Sequence, residues 1–97
     1  MKYMINFQIT LTFEDKLQSS FRTSYTVIEN EIKQYELTSL NRVQKWFAEF
    51  FLNSSLDAFI DTSKLKNKVI NKKIKIGRIT NSLSGEYKTF QENRINE

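Results

Sequence analysis

The sequence predicts an α+β domain: a four-stranded antiparallel sheet with one main amphipathic helix packed on one face, in the order β-β-α-(short α)-β-β. Three observations predict it. From Tyr3 to Phe13 every odd position is apolar, while the even positions after Met4 are Asn6, Gln8, Thr10 and Thr12. A period of two held this long marks a strand with one buried face and one wet face. Residues 21–28 repeat the alternation, with Phe21, Thr23, Tyr25 and Val27 set between Arg22, Ser24 and Thr26. The period then changes. Leu37, Leu40, Val43, Phe47, Phe50 and Phe51 recur at three and four, which is the spacing of one helical face.

Taken in order, Glu14-Asp15-Lys16 opens the first turn and Ser19-Ser20 closes it, so the first two strands form a hairpin. Residues 29–36 fit an extension of the second strand, a short strand of their own, or a loop. The main helix is expected over 39–53, capped by Thr38 or Ser39 and stopped at Asn53-Ser54-Ser55. Leu56, Phe59 and Ile60 give one further turn of helical spacing, which brings Asp57 and Asp61 to one face. Such a pair suits a divalent ion or acid–base work, but solvated surface acids are the simpler reading. Residues 73–80 read as a third strand, with Lys73, Lys75, Gly77 and Ile79 opposite Ile74, Ile76, Arg78 and Thr80. Asn81 to Gly85 form a loop, and 86–91 pair back with Tyr87 and Thr89 on one side and Lys88 and Phe90 on the other. Tyr3, Ile5, Phe7, Ile9, Leu11, Tyr25, Val27, Leu40, Val43, Phe47, Phe50, Ile74 and Ile76 are the expected core. Residues 1–91 make a single domain, and the polar tail 92–97 is expected to fray.

Composition narrows the chemistry. The chain has 97 residues, no Cys, no His and no Pro. A disulfide frame, a thiolate metal site and a histidine acid–base catalyst are therefore excluded. Neither Gly77 nor Gly85 belongs to a phosphate-cradling motif. No apolar run approaches the length of a membrane span, and a cytoplasmic, intracellular protein is expected. Lys, Asn, Ile, Phe and Tyr dominate, while Ala, Gly and Pro together number four. That bias points to an AT-rich genome, such as that of a low-GC bacterium, its phages or its plasmids.

Charge is divided along the chain. Residues 1–61 carry six basic and eight acidic side chains, whereas 62–97 carry nine and three. Between Thr62 and Gly85 stand Lys64, Lys66, Lys68, Lys72, Lys73, Lys75 and Arg78 without one acid. With Lys88 they are the residues expected to meet a nucleic acid or an acidic partner, and Trp46, Tyr87 and Phe90 are the expected interface aromatics. The plain reading of the lysines is a sheet edge blunted against strand addition. Small chains without catalytic residues act by occupying a surface. The first reading is therefore a non-enzymatic module that binds a protein or nucleoprotein, such as an accessory or inhibitory factor of a phage or mobile element. It needs no cofactor, metal, membrane or small-molecule substrate. The alternative is a nucleic-acid-binding protein that uses the basic segment 62–85.

Overall fold

The period-two face of the first strand sets the architecture. In the computed structural model, which describes residues 2–90 and 94–96, that strand is β1 (Tyr3–Phe13) and it lies inside the sheet. On one side it pairs antiparallel with β2 (Gln18–Val27), and on the other with β3 (Val69–Asn81). β4 (Tyr87–Thr89) adds to the far side of β3, giving the order β2-β1-β3-β4. The fold class is the α+β sheet with one covering helix that the alternation predicts. Residue 91, the end of the expected returning strand, and residues 92, 93 and 97 of the expected tail lie outside the described residues. The backbone of Arg94–Asn96 runs as β5 against Lys73 to Lys75 of β3.

The β1–β2 hairpin closes through Glu14, Asp15 and Lys16. The Phe13 N–H donates to Leu17 O at 2.9 Å, and the Lys16 N–H donates back to Phe13 O at 2.9 Å. This is the three-residue hairpin loop whose last position turns left-handed; Lys16 holds that position at φ 72°. Glycine is the usual occupant because it has no Cβ to clash with the following carbonyl.

Of the residues left open by the sequence, 29–36, the first six form a helix and the last two a turn. The helix is α1 (Glu29–Gln34), and its cause is local capping. The Glu31 carboxylate accepts from the Ile28 N–H at 3.2 Å and from the Tyr25 hydroxyl at 2.9 Å. Glu29 and Glu31 suit the positive N-terminal end of a helix, and Lys33 suits the last turn. The helix ends with Glu36 left-handed at φ 54° and the Leu37 N–H on Ile32 O at 2.9 Å, a closure that seats Leu37 in the core.

The main helix, α2 (Leu40–Asn53), begins where expected. Ser39 is the cap, its hydroxyl accepting from the Arg42 N–H at 3.2 Å. Leu40, Val43, Phe47, Ala48 and Phe51 are buried against the sheet. Phe50 and Tyr25, expected in the core, lie only partly buried at its margin. The single helical turn expected after α2 is two short 3-10 turns, Leu56–Ala58 and Thr62–Lys64. Phe59 between them packs edge-on against Phe7 and Phe47, with ring centroids 6.0 Å away in each case.

β3 departs from simple alternation. Asn6 pairs with Arg78 and Phe7 with Ile76, so Gly77 has no partner in β1. A second shift near Phe13 leaves Ile70 unpaired. Each extra residue reverses which face the chain presents. Ile74, Ile76 and Ile79 are all buried, although 79 has the opposite parity to 74 and 76. Arg78, expected beside the isoleucines, turns outward instead.

Two outcomes follow. Lys16→Gly should stabilise the fold by about 1 kcal/mol, since it relieves the left-handed cost at a position where glycine is at ease; urea denaturation measures it. The second concerns Tyr25. Burial first, and then the hydrogen bond and charge of Glu31, push its phenol up from 10.0 to about 12. The folded value is the higher one, so the stabilisation is whole below pH 10 and is lost as pH climbs toward about 12. Stability measured across that window should fall more steeply in the wild type than in Tyr25→Phe.

Candidate functional site

α2 covers one face of the sheet and leaves the other bare. Strand pairing fixes what stands on the bare face. Across the strands the rows read Ser20–Thr10–Lys73, Arg22–Gln8–Lys75 and Ser24–Asn6–Arg78–Thr89. Met4, Thr12, Gln18, Thr26, Asn71, Thr80 and Tyr87 complete it. On the strands β1 to β4 the face therefore carries four cations, Arg22, Lys73, Lys75 and Arg78, and no acid. Among the described residues none of the four has a carboxylate within ion-pair distance; the one ion pair is Lys33 with Glu29 on α1. Neighbouring strands lie about 4.8 Å apart, so Arg22 and Lys75 flank Gln8 across about 10 Å.

The face is also concave. Asn6, Gln8, Arg22, Lys75, Gly77 and Arg78 line an open depression of about 740 Å³. The bulge at Gly77 places Arg78 opposite Asn6, and both Gly77 and Arg78 line the depression. Asn6 and Gln8 add amide donors and acceptors between the cations. At the margin the Arg78 guanidinium lies 4.6 Å from the centroid of the Tyr87 ring, which remains more than half exposed. Hydroxyls hold the far end, where Thr10 and Ser20 share a hydrogen bond of 3.1 Å. Cations grouped on one face in this way make its local potential positive.

The structure splits the residues expected at the site. Lys73, Lys75, Arg78 and Tyr87 share the bare face. Lys64, Lys66 and Lys68 are exposed but sit on the segment leading into β3, beside the hairpin turn, where Asn67 bonds Asp15 at 3.0 Å. Lys72 faces the other way. Opposite Leu11, it points under the helix, and its ammonium donates to Phe51 O at 3.1 Å and Ser54 O at 2.9 Å. It thus caps the carbonyl end of α2, where a cation is favoured. Lys88 also lies on the helix side, donating to Asn41 Oδ1 at 2.8 Å. Phe90 is a core residue, 7% exposed, and is not an interface aromatic. Trp46 is half-buried and stacks on Phe50 at 5.0 Å, with Tyr35 on its other side at 5.3 Å.

Two further points concern the setting. β3 pairs with β1 on one side and, through Lys73–Lys75 and Arg78–Thr80, with β5 and β4 on the other, so Lys73 and Lys75 do not blunt an open edge. Asp57 and Asp61 serve the turns: Asp57 accepts from the Thr62 and Ser55 hydroxyls, and Asp61 accepts from the Ser63 N–H at 3.1 Å. Among the described residues no three potential metal ligands gather, and no helix is long and apolar enough to cross a membrane. Arg22 is the cation that the charge count misses. It stands alone in β2, and only the pairing through Gln8 brings it to Lys75.

The comparisons add no relative. No family model, no curated protein and no solved structure matches the chain.

Lysines of the two faces should separate cleanly on mutation. Lys72→Met removes two charge-assisted bonds to carbonyls and should cost about 1–2 kcal/mol of stability. Lys73→Met and Lys75→Met should change stability by no more than about 0.5 kcal/mol. Chemical denaturation of the three variants is the check, and equal losses in all three would contradict the assignment of faces.

Proposed function

We propose that this protein is a non-enzymatic nucleic-acid-binding module that holds a single strand across the bare face of its sheet. One observation carries the reading: four cations and a lining of amides and hydroxyls on the face opposite α2, with no carboxylate and no covering element there among the described residues. Outward residues two apart along a strand are spaced by about 6.6 Å, comparable with the separation of successive phosphates on an extended single strand. Lys73, Lys75 and Arg78 would follow the backbone, with Arg22 as a lateral contact. Asn6, Gln8 and Ser24 would meet the polar edges of unpaired bases.

Duplex recognition is the weaker fit. A helix that reads a groove must stand free of the sheet with cations on its exposed side. Here α2 is packed down, and its exposed side mixes Arg42 and Lys45 with Glu49. Stacking is also limited. Only Tyr87 offers an exposed ring at this face, so binding rests on phosphates and is tolerant of sequence.

The test is fluorescence anisotropy with labelled single-stranded RNA and DNA and a matched duplex, at about 50 and 200 mM salt. Four phosphate contacts on a single strand give a logarithmic salt slope near −2.8, which weakens binding about 50-fold over that range. Single strands should bind more tightly than the duplex. Reversing charge in the combined variant Lys73→Glu, Lys75→Glu, Arg78→Glu should abolish binding while the far-UV circular dichroism stays unchanged. Absence of binding at the lower salt would sink the reading. The half-exposed stack of Tyr35, Trp46 and Phe50 on the helix side would then be the surface to probe for a protein partner, since aromatic anchors of this kind dominate such interfaces.

A further inference from the structure

The sheet has one long uncovered margin, and it is β2. Ten residues pair with β1 on one side, and among the described residues no strand pairs on the other. Exposed edges present unpaired N–H and C=O groups, and proteins guard them with lysine, proline, bulges or a covering element. Of such guards β2 carries only the single exposed charge of Arg22. Its sequence, Gln18-Ser-Ser-Phe-Arg-Thr-Ser-Tyr-Thr-Val27, holds no Lys and no Pro. Its register with β1 runs unbroken from Val27 to Gln18, whereas both shifts in the sheet fall between β1 and β3. The lysines that would ordinarily guard an edge are on the interior strand instead.

We infer that β2 is a pairing surface for a second copy of this chain, joined antiparallel about a two-fold axis at Thr23. The residues choose both the occupant and the register. About that axis Phe21 faces Tyr25 of the other copy, and Tyr25 faces its Phe21. Both rings are only partly buried in the single chain, so the aromatic layer under α2 continues across the junction. On the bare face Arg22 meets Ser24 and Ser20 meets Thr26. Ser19 meets Val27, and Thr23 meets itself. Cross-strand aromatic and Thr–Thr pairs are favourable. An axis at Arg22 would instead set two guanidiniums directly opposite each other, which is unfavourable. With the axis at Thr23 the two arginines lie on a diagonal, exposed to solvent, where salt screens them.

A two-fold axis perpendicular to a sheet keeps each face on its own side. The dimer thus has one continuous eight-stranded sheet, counting β1 to β4 of each copy, with both cationic depressions on the same surface. If the nucleic-acid reading also holds, the pair offers a track twice as long. The self-association itself does not depend on that reading.

Sedimentation equilibrium on nuclease-treated full chain tests the inference without any nucleic acid present. It is run from about 1 to 500 µM, a span suited to a small strand-to-strand interface, at about 150 mM salt. The wild type should move from monomer to dimer with concentration. Ser24→Lys puts a like charge opposite Arg22 at two equivalent positions and should weaken the dimer by about tenfold. Ser24→Glu puts an opposite charge there and should tighten it by a similar factor. A wild type that stays monomeric throughout, or two variants that shift association in the same direction, would overturn the proposal.

Discussion

The fold depends on one mismatch and its repair. β1 presents six apolar side chains at odd positions without interruption, and β3 must lay its own apolar residues beside them. The spacing in β3 is irregular: Ile74 and Ile76 are two apart, but Ile79 follows three later. A straight ladder would turn Ile79 to water and bury Arg78. The unpaired Gly77 absorbs the extra residue, so that Ile5 meets Ile79 while Phe7 still meets Ile76. Glycine suits the place because strand backbones come close there. A Cβ on Gly77 would lie 3.2 Å from the Asn6 carbonyl oxygen, tighter than ordinary contact. The Gly77 carbonyl is also engaged, accepting from the Phe90 N–H at 2.6 Å.

That repair shapes both faces. Inward, it completes an isoleucine row that α2 can cover with Val43, Phe47 and Phe51. Outward, it moves Arg78 onto the side of Lys73 and Lys75 and opens the depression. The hydrophobic demand of β1 thereby fixes where the charge goes. The long strands also set the molecule's proportions. The greatest extent is 44 Å, close to the roughly 43 Å that thirteen extended residues span. One fourteen-residue helix cannot wrap such a sheet on both sides, so one face stays open.

Much of this was legible in the sequence because period and parity are local signals. The β1–β2 hairpin, the 39–53 helix with Thr38 or Ser39 at its start, and the sides taken by Tyr87, Lys88, Thr89 and Phe90 all follow from local sequence. What was hidden required a partner. Glu31 makes a helix of 29–34 by reaching back to the Ile28 N–H and across to Tyr25, and neither contact has a periodic signature. Glu36 ends that helix in a seat where glycine would have announced the stop. The bulge at Gly77 is visible only against β1, so straight alternation assigned Ile79 and Arg78 to the wrong sides. The basic site was half legible for the same reason. A run of lysines can be counted, but Arg22 joins it only through Gln8.

The lysine-rich segment also shows why composition is a poor guide to a binding face. Consecutive strand residues point to opposite sides. Lys72 and Lys73 are neighbours in sequence, yet one holds the carbonyl end of α2 and the other stands on the open sheet. A cation under the helix neutralises partial charge on fixed carbonyls, and its contribution is to stability. A cation on the open face has no such partner among the described residues. Its field extends into solvent, where it raises the local concentration of anions. Were a nucleic acid bound there, the driving force would be release of the cations condensed on its phosphates, which scales with how many protein cations share one surface. Four on one face without an acid therefore count for more than seven distributed along a segment. It is the pairing of β1 with β2 and β3, rather than the lysine run, that gathers those four.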